Sequence, residues 1–357
     1  MKIAVGLSGG VDSSVTAWLL KEQGHDVIGL TMAIWDGEDS VPARKHACYG
    51  PGEKEEIQSA REFCHTIGIP FYAFDCAKEY RESVLSYFKM EYASGRTPNP
   101  CVKCNHSMKF GLLLEKARNA GVDFDYFATG HYAKVVFAQE TGRWLLLKGK
   151  DPQKDQSYFL YRLTQKQLSE TMFPLGEMTK AGVRKIAAEN NFHTADMPAS
   201  QDFYCGDYTD LLDFPQKDGD IIDKNGKILG QHQGIWNYTP GQRKRLGVFQ
   251  PRPLYVISTD SVRNTVTVAP KNEALSISII VANLNWIAIE KLESTFRFNI
   301  KIRSFQRSAE GLAEPREDAR VKITFKEPQM AAAPGQSAVF YSNDVVIGGG
   351  IIEKTVD

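Results

Sequence analysis

The 357-residue chain has no net charge, its 43 Lys and Arg standing against 43 Asp and Glu. That excludes a uniformly basic coat and an acidic tail, so any polyanionic partner must be met by a local basic surface. No stretch comes near the ~20 apolar residues of a membrane-spanning helix. Internal repeats and low-complexity tracts are absent. The first apolar run begins at Ile3, leaving no room for a secretory leader ahead of it, so the expected compartment is the cytoplasm. Cysteine is scarce, six in all. In a reducing compartment these are read as thiols, metal ligands or catalytic groups before structural disulfides.

What is present concentrates at the N-terminus. Ile3-Ala4-Val5-Gly6-Leu7 is followed by Ser8-Gly9-Gly10-Val11-Asp12-Ser13-Ser14 and then by a helical pattern through Val15, Leu19 and Leu20. A buried strand turning tightly into a helix aims successive backbone N–H groups and the positive helix end at whatever sits above the turn, which favours anions. Gly9 and Gly10 allow the close approach, and Ser8, Ser13 and Ser14 add hydroxyl donors without charge. A plain helix cap needs one Ser or Asp. The Gly-Lys-Ser/Thr ending of a Walker loop and the Gly-x-Gly-x-x-Gly of a dinucleotide fold are both missing. The segment resembles the PP-loop of the N-type ATP pyrophosphatases, which adenylate an oxygen of their substrate and release pyrophosphate. Gly6, Leu7, Ser8, Gly9, Gly10, Val11, Asp12 and Ser13 are therefore the expected ATP phosphate contacts. Magnesium is expected as counter-charge, although no dedicated carboxylate cage is visible.

The chain's 42% hydrophobic content can build two or three cores. From residue 1 to 162, apolar runs at Ile3–Leu7, Asp26–Met32, Phe71–Asp75 and Asp125–Thr129 alternate with helical patterns at Asp12–Gln23, Lys54–Ile67, Tyr80–Tyr92 and Ser107–Ala120. This predicts an α/β, doubly wound domain on a parallel sheet, with ligands beyond the carboxyl ends of its strands. Residues 163 to 212 predict a small helical connector carrying Cys205, with a helix opening at Thr179. Residues 213 to 357 turn to short Val/Ile/Thr-rich strands, such as Thr265–Val268, Asn299–Ile302, Val321–Phe325 and Ala338–Tyr341. They predict one or two small antiparallel β-barrels.

Residues 93 to 110 hold Pro98-Asn99-Pro100-Cys101-Val102-Lys103-Cys104-Asn105, a stiffened loop at a helix start. A thiol at a helix N-terminus beside Lys103 and Lys109 is expected to have a lowered pKa. Cys205 follows far along the chain, in Ser200-Gln201-Asp202-Phe203-Tyr204-Cys205. Together with the phosphate loop, the segments Gly95-Arg96-Thr97-Pro98-Asn99-Pro100, Cys104-Asn105, Ala128-Thr129-Gly130-His131-Tyr132, Lys154-Asp155-Gln156-Ser157-Tyr158, Ser200-Gln201-Asp202 and Tyr238-Thr239-Pro240-Gly241-Gln242-Arg243 appear in the order found in bacterial tRNA-specific 2-thiouridylases. The resemblance covers nearly the whole chain. It implies ATP-dependent replacement of the wobble uridine's 2-oxygen by sulfur, with Cys205 carrying the sulfur as a persulfide and Cys104 freeing the product through a Cys104–Cys205 disulfide. It also implies that Met32 and Gly130 frame the adenosine. Many members have Asp where this chain has Cys101. A thiol there opens an alternative, a [4Fe–4S] cluster on Cys101, Cys104 and Cys205 with one iron left open. Cys64 falls on a helix face and reads as core, while Cys48 and Cys76 carry no assignment.

A wobble nucleotide must be extruded from the anticodon loop to reach a catalytic pocket. The expected tRNA contacts are Asn99, His131, Lys154, Asp155, Gln156, Arg243, Lys244, Arg245, Arg303, Ser304 and Gln336, with Lys301 a further candidate for phosphate. The expected partners are the anticodon arm of tRNA and a sulfur donor such as a cysteine desulfurase or sulfur-relay protein, with no membrane. Two other classes fit parts of the pattern. A PP-loop small-molecule ligase has no need of Cys104 and Cys205. A non-catalytic RNA-binding module would be indifferent to thiol alkylation.

Overall fold

The computed structural model describes residues 1–37, 47–197, 203–204, 206–248 and 250–356. They form two compact units. The first comprises Met1–Leu85, Pro100–Leu211 and Asp344–Val346, and the second comprises Ser86–Asn99, Leu212–Asn343 and Ile347–Asp357.

The first unit is built on β1 (Lys2–Gly6), β2 (Asp26–Ala33), β3 (Phe71–Asp75) and β4 (Tyr126–Thr129), then a hairpin of β5 (Ala133–Ala138) and β6 (Arg143–Lys148), and a short β7 (Thr171–Met172). The sheet order is β3-β2-β1-β4-β7, with parallel pairing throughout. Ile3, Ala4 and Val5 are fully buried, so β1 reads as an unbroken apolar run. Chain order reverses between β1 and β4, which opens a crevice at the carboxyl end of β1. Helix α1 (Val11–Glu22) leaves that crevice, and α2 (Glu53–Ile67) follows β2.

The expected connector shares this core. Leu175, Val183, Ala187 and Phe192 cluster with Ile3, Val5, Val11 and Val15, and β7 extends the sheet beside β4. The helix Lys180–Glu189 opens at Thr179, whose side chain accepts from the Gly182 N–H at 3.2 Å. Two helical runs are longer than expected and contain wide π turns. One passes from Ala77 through Arg81–Leu85, and the other begins at Pro100 and continues through Asn105–Leu112 to Asn119.

The second unit has a four-stranded sheet of β8 (Gly219–Ile222), β9 (Ile228–His232), β10 (Leu254–Asp260) and β11 (Thr265–Pro270), in the order β10-β11-β8-β9. The β11–β8 pair is parallel, which corrects the all-antiparallel expectation for this stretch. Antiparallel strands β12 (Leu275–Trp286), β13 (Phe296–Lys301), β14 (Ala309–Pro315), β15 (Val321–Met330), β16 (Ser337–Ser342) and β17 (Val345–Val356) follow. They run in the order β12-β15-β14-β13-β16-β17, and β17 pairs back to β12, closing a six-stranded barrel. Ile279, Ile300, Ile323, Phe340 and Ile352 are buried on one face of its wall. Among the described residues no helix is long and apolar enough to cross a membrane.

Candidate nucleotide and sulfur-transfer site

The phosphate loop is shaped by close backbone approach. Gly9 has φ +73°, and a Cβ on it would stand 2.6 Å from the carbonyl oxygen of Glu56 in α2. Gly10 is the N-cap of α1 and offers no capping side chain, so the first N–H groups of the helix are left for a ligand. Within the turn, the Ser8 N–H donates to Ser13 Oγ at 3.2 Å, and the Ser13 and Ser14 hydroxyls both donate to the Gly10 carbonyl. Gly130, just past β4, closes on the same loop. A Cβ there would lie 2.8 Å from the Asp12 carbonyl carbon and 2.9 Å from the Ser13 nitrogen.

Asp12 is the charged member of the loop, and its neutralisation was not legible in the sequence. Lys180 Nζ donates to both carboxylate oxygens at 2.6 Å, and the Tyr132 hydroxyl donates to Oδ1 at 2.7 Å. The Lys180 side chain is only 12% exposed. A bare carboxylate in such a loop would repel a phosphate, and pairing with an ammonium offsets that repulsion. Burial, reinforced by the Asp12 charge, pushes the Tyr132 phenol up, so it stays a donor. The only sequence signal for Lys180 was the helix start at Thr179.

The helix carrying the cysteines starts at Pro100, so Cys101 lies in its first turn while Cys104 lies one turn in, where the π stretch begins. Both residues are partly exposed. The expected lowering of the thiol pKa is not found at Cys104. Burial pushes that thiol up to about 12, Lys109 opposing and the thiols of Cys48 and Cys76 adding to the rise. A full turn of helix removes the N-terminal advantage, and desolvation outweighs one nearby ammonium. Cys48 belongs to the same neighbourhood. The thiols of Cys104, Cys48 and Cys101 all act on the buried Tyr80 phenol, which burial holds well above its ordinary value, and Tyr80 stacks on Tyr49 at 5.5 Å. Cys64 is core, 1% exposed, as its helix face predicted. Cys76 is also buried. Cys205, with Ser200, Gln201 and Asp202, lies outside the described residues. Among the described residues no three side chains form a metal-holding group.

His131 sits past the end of β4 with Nδ1 2.7 Å from the Thr129 hydroxyl, and its ring packs against Phe110 and Phe173. Burial first and Lys109 second hold its pKa well below the ordinary value, so the imidazole is neutral. In the expected tRNA segment, Asp155 Oδ1 accepts from the N–H groups of Gly149 and Ser157, and Gln156 Oε1 accepts from the Tyr132 N–H at 3.0 Å. Lys154 alone of the three is exposed, Asp155 and Gln156 being half-buried.

In the second unit, Gln336 Nε2 donates to the Pro98 and Thr97 carbonyls at 2.7 and 3.3 Å, and the Asn99 N–H donates to the Tyr87 hydroxyl. These bonds shape the loop that leads into the cysteine helix. Arg303 donates to the Pro240 and Ala331 carbonyls at 2.9 and 3.3 Å, joining three loops. Next to Arg303 and the half-buried Ser304 stands Phe305, 96% exposed, which the sequence did not single out. Arg243, Lys244 and Arg245 are exposed on the turn after Pro240.

A parallel sheet whose switch point lies under a Ser-Gly-Gly-Val-Asp-Ser loop defines a nucleotide-binding α/β protein of the PP-loop type. Residues 1–205 match the family described as the tRNA methyl transferase HUP domain, residues 212–270 the tRNA methyl transferase PRC-barrel domain, and residues 276–352 the aminomethyltransferase beta-barrel domain. A tRNA-specific 2-thiouridylase of Endomicrobium trichonymphae is 49% identical over 99% of each chain. Those of Thermoanaerobacter sp. (strain X514) and Acetivibrio thermocellus are 45% and 42% identical over 99% of this chain and 98% and 99% of theirs. The chain belongs to the tRNA-specific 2-thiouridylase family.

Proposed function

We propose that this protein uses ATP to replace the C2 oxygen of the wobble uridine of tRNA with sulfur. The observation that carries the reading is the coexistence, in one unit, of a phosphate loop with a paired Asp12 and a helix bearing Cys101 and Cys104. The uracil C2 oxygen is a poor leaving group. Attack of that oxygen on the α-phosphorus of ATP expels pyrophosphate and converts it into AMP, which leaves well. The loop's free N–H groups and the hydroxyls of Ser8 and Ser13 are suited to the charge that builds on the phosphates. Magnesium would supply counter-charge to pyrophosphate, beside a loop whose one carboxylate, Asp12, is already neutralised by Lys180.

The outer sulfur of a Cys205 persulfide then attacks C2, and AMP departs. Attack of the Cys104 thiolate on the Cys205 sulfur breaks the remaining S–S bond, leaving 2-thiouridine and a Cys104–Cys205 disulfide. An external dithiol reduces that disulfide, and a cysteine desulfurase or sulfur-relay protein restores the persulfide. Because burial holds the Cys104 thiol up at about 12, loss of its proton is part of the work of the site. Neutral His131 and the Lys109 ammonium lie at that end of the sheet, suited to a base edge and to negative charge. The test is the bulk tRNA of a strain lacking this gene. Its tRNA should lose retardation on a mercury gel and regain it when the gene is restored, and unchanged retardation contradicts the reading.

The cluster route gives the same product and differs at Cys101. Under the persulfide route the Cys101→Asp variant should keep substantial activity, and the anaerobically purified protein should be colourless. A brown protein with about four irons per chain, whose colour and activity both vanish in Cys101→Asp, would establish the cluster instead.

Contacts with tRNA in the second unit follow from exposure. Lys244→Ala combined with Arg245→Ala is expected to weaken tRNA binding across all sequences and reduce the salt slope by about two, one for each lost phosphate contact. ATP affinity should be unchanged, and an unaltered slope would make the triplet plain surface. Phe305 offers a free ring on which an unpaired base can stack.

A further inference from the structure

We propose that Glu53 is a positioning residue for the nucleotide: its carboxylate fixes the chain leaving β2 while the helical turn that carries it backs the phosphate loop, an inference that rests on the ATP reading of this unit. Glu53 opens α2 and is 6% exposed. Its Oε1 accepts from the Ile34 N–H at 2.7 Å and its Oε2 from the Trp35 N–H at 3.0 Å. Ile34 and Trp35 directly follow Ala33, the last residue of β2, so these amides lie at the carboxyl end of the strand next to β1. The Trp35 indole N–H is buried with no partner among the described residues, so Glu53 supplies the polar hold on Trp35. Further on, Asp36 is gripped by Arg81 at 2.7 Å. In the same first turn of α2, the Glu56 carbonyl is the atom against which Gly9 of the phosphate loop closes. One helical turn thus sets both the phosphate loop and the wall beside it.

The residue type matters. Two adjacent N–H donors need two acceptor oxygens, which a carboxylate has and an amide lacks, since its NH2 would face one of the donors. Burial pushes Glu53 up to about 7, with the two backbone bonds opposing and Asp75 at the end of β3 adding to the rise. The Cys76 thiol, on which Glu53 also acts, is buried and protonated, and Lys116 beside Asp75 is taken by Glu79 and the Asp75 carbonyl. Glu55 and Glu56 share the first turn of α2. Protonation turns one acceptor of Glu53 into an O–H, so its hold on the β2 exit weakens as pH falls through about 7.

The experiment compares ATP dissociation constants of the full wild-type chain and Glu53→Gln by calorimetry between about pH 6 and about pH 8. Taking the ratio of the two constants cancels the titration of ATP itself. The expected ratio is about tenfold near pH 8, where the wild type has its carboxylate, falling towards parity near pH 6. In turnover the variant should raise the KM for ATP and leave kcat within about twofold, which a general loss of folding would not do. A ratio near one at high pH, or one that does not change with pH, overturns the proposal. Should Glu53→Gln fail to fold, the wild-type amide protons of Ile34 and Trp35 decide by NMR. Both should titrate together with a midpoint of about 7, and flat shifts overturn the proposal. If the wild type binds no ATP at any pH, it is the ATP reading that falls.

Discussion

Asp12→Ala and Ser13→Ala are each expected to cut tRNA-dependent pyrophosphate release by ~10²–10³, the loss typical when one pre-set group is removed from a charge-building transition state. The two act by different routes. Ser13 is a hydroxyl in the turn itself, bonded to the Ser8 N–H and the Gly10 carbonyl, so its removal takes away a donor and loosens the loop. Asp12 is the counter-charge of Lys180, and Asp12→Ala leaves a nearly buried ammonium beside the phosphates with nothing to aim it. Affinity for tRNA should stay within a few-fold in both variants, because neither residue belongs to the unit that carries the basic turn. Stopped-flow measurement of pyrophosphate release checks this. Wild-type rates in both variants would remove the phosphate loop from the mechanism.

Without reductant, Cys104→Ser and Cys205→Ser should both yield no free 2-thiouridine but stop at different points. Cys205→Ser should accumulate adenylated RNA, because a hydroxyl carries no persulfide sulfur. Cys104→Ser should go one bond further. Sulfur reaches C2 but stays joined to Cys205, giving a covalent protein–RNA adduct that a small thiol reductant releases as thiolated RNA. Serine cannot substitute, since its hydroxyl is far too weak an acid to supply a nucleophile that opens an S–S bond. Denaturing gels with and without reductant separate the two states. Multiple-turnover thiolation by Cys104→Ser at the wild-type rate would assign the release step elsewhere.

The parts of this protein that could be read in its sequence are those whose determinants are local. The strand, loop and helix from Ile3 to Leu20 are contiguous, β2 and β4 are largely buried apolar runs, and β3 is an apolar edge strand with Tyr72 exposed, so their pattern survives without knowledge of their neighbours. The barrel strands announced themselves by alternation. β7 did not, because two residues carry no period, and its place is set by β4 alone. The parallel β8–β11 pairing depends on a long connection rather than on composition. At the site, residue types were legible but their states were not. Lys180 lies far from Asp12 along the chain and meets it only in the fold. Cys104 has the neighbours that would lower a thiol pKa at the surface, yet burial reverses the sign. Gln336 and Arg303 look like RNA contacts in a sequence, whereas here both spend donors on backbone carbonyls of their own unit.

The most direct measurement supplies the purified chain with ATP, a cysteine desulfurase and cysteine as the source of persulfide sulfur, a dithiol and an anticodon stem-loop with uridine at the wobble position, then counts products by nucleoside mass spectrometry and nucleotide chromatography. The account predicts one AMP and one pyrophosphate for each 2-thiouridine, with sulfur at the wobble base alone and none formed when ATP is replaced by an analogue uncleavable between the α and β phosphates. Thiouridine formed with that analogue, or AMP and pyrophosphate released without any sulfur entering the RNA, would contradict it.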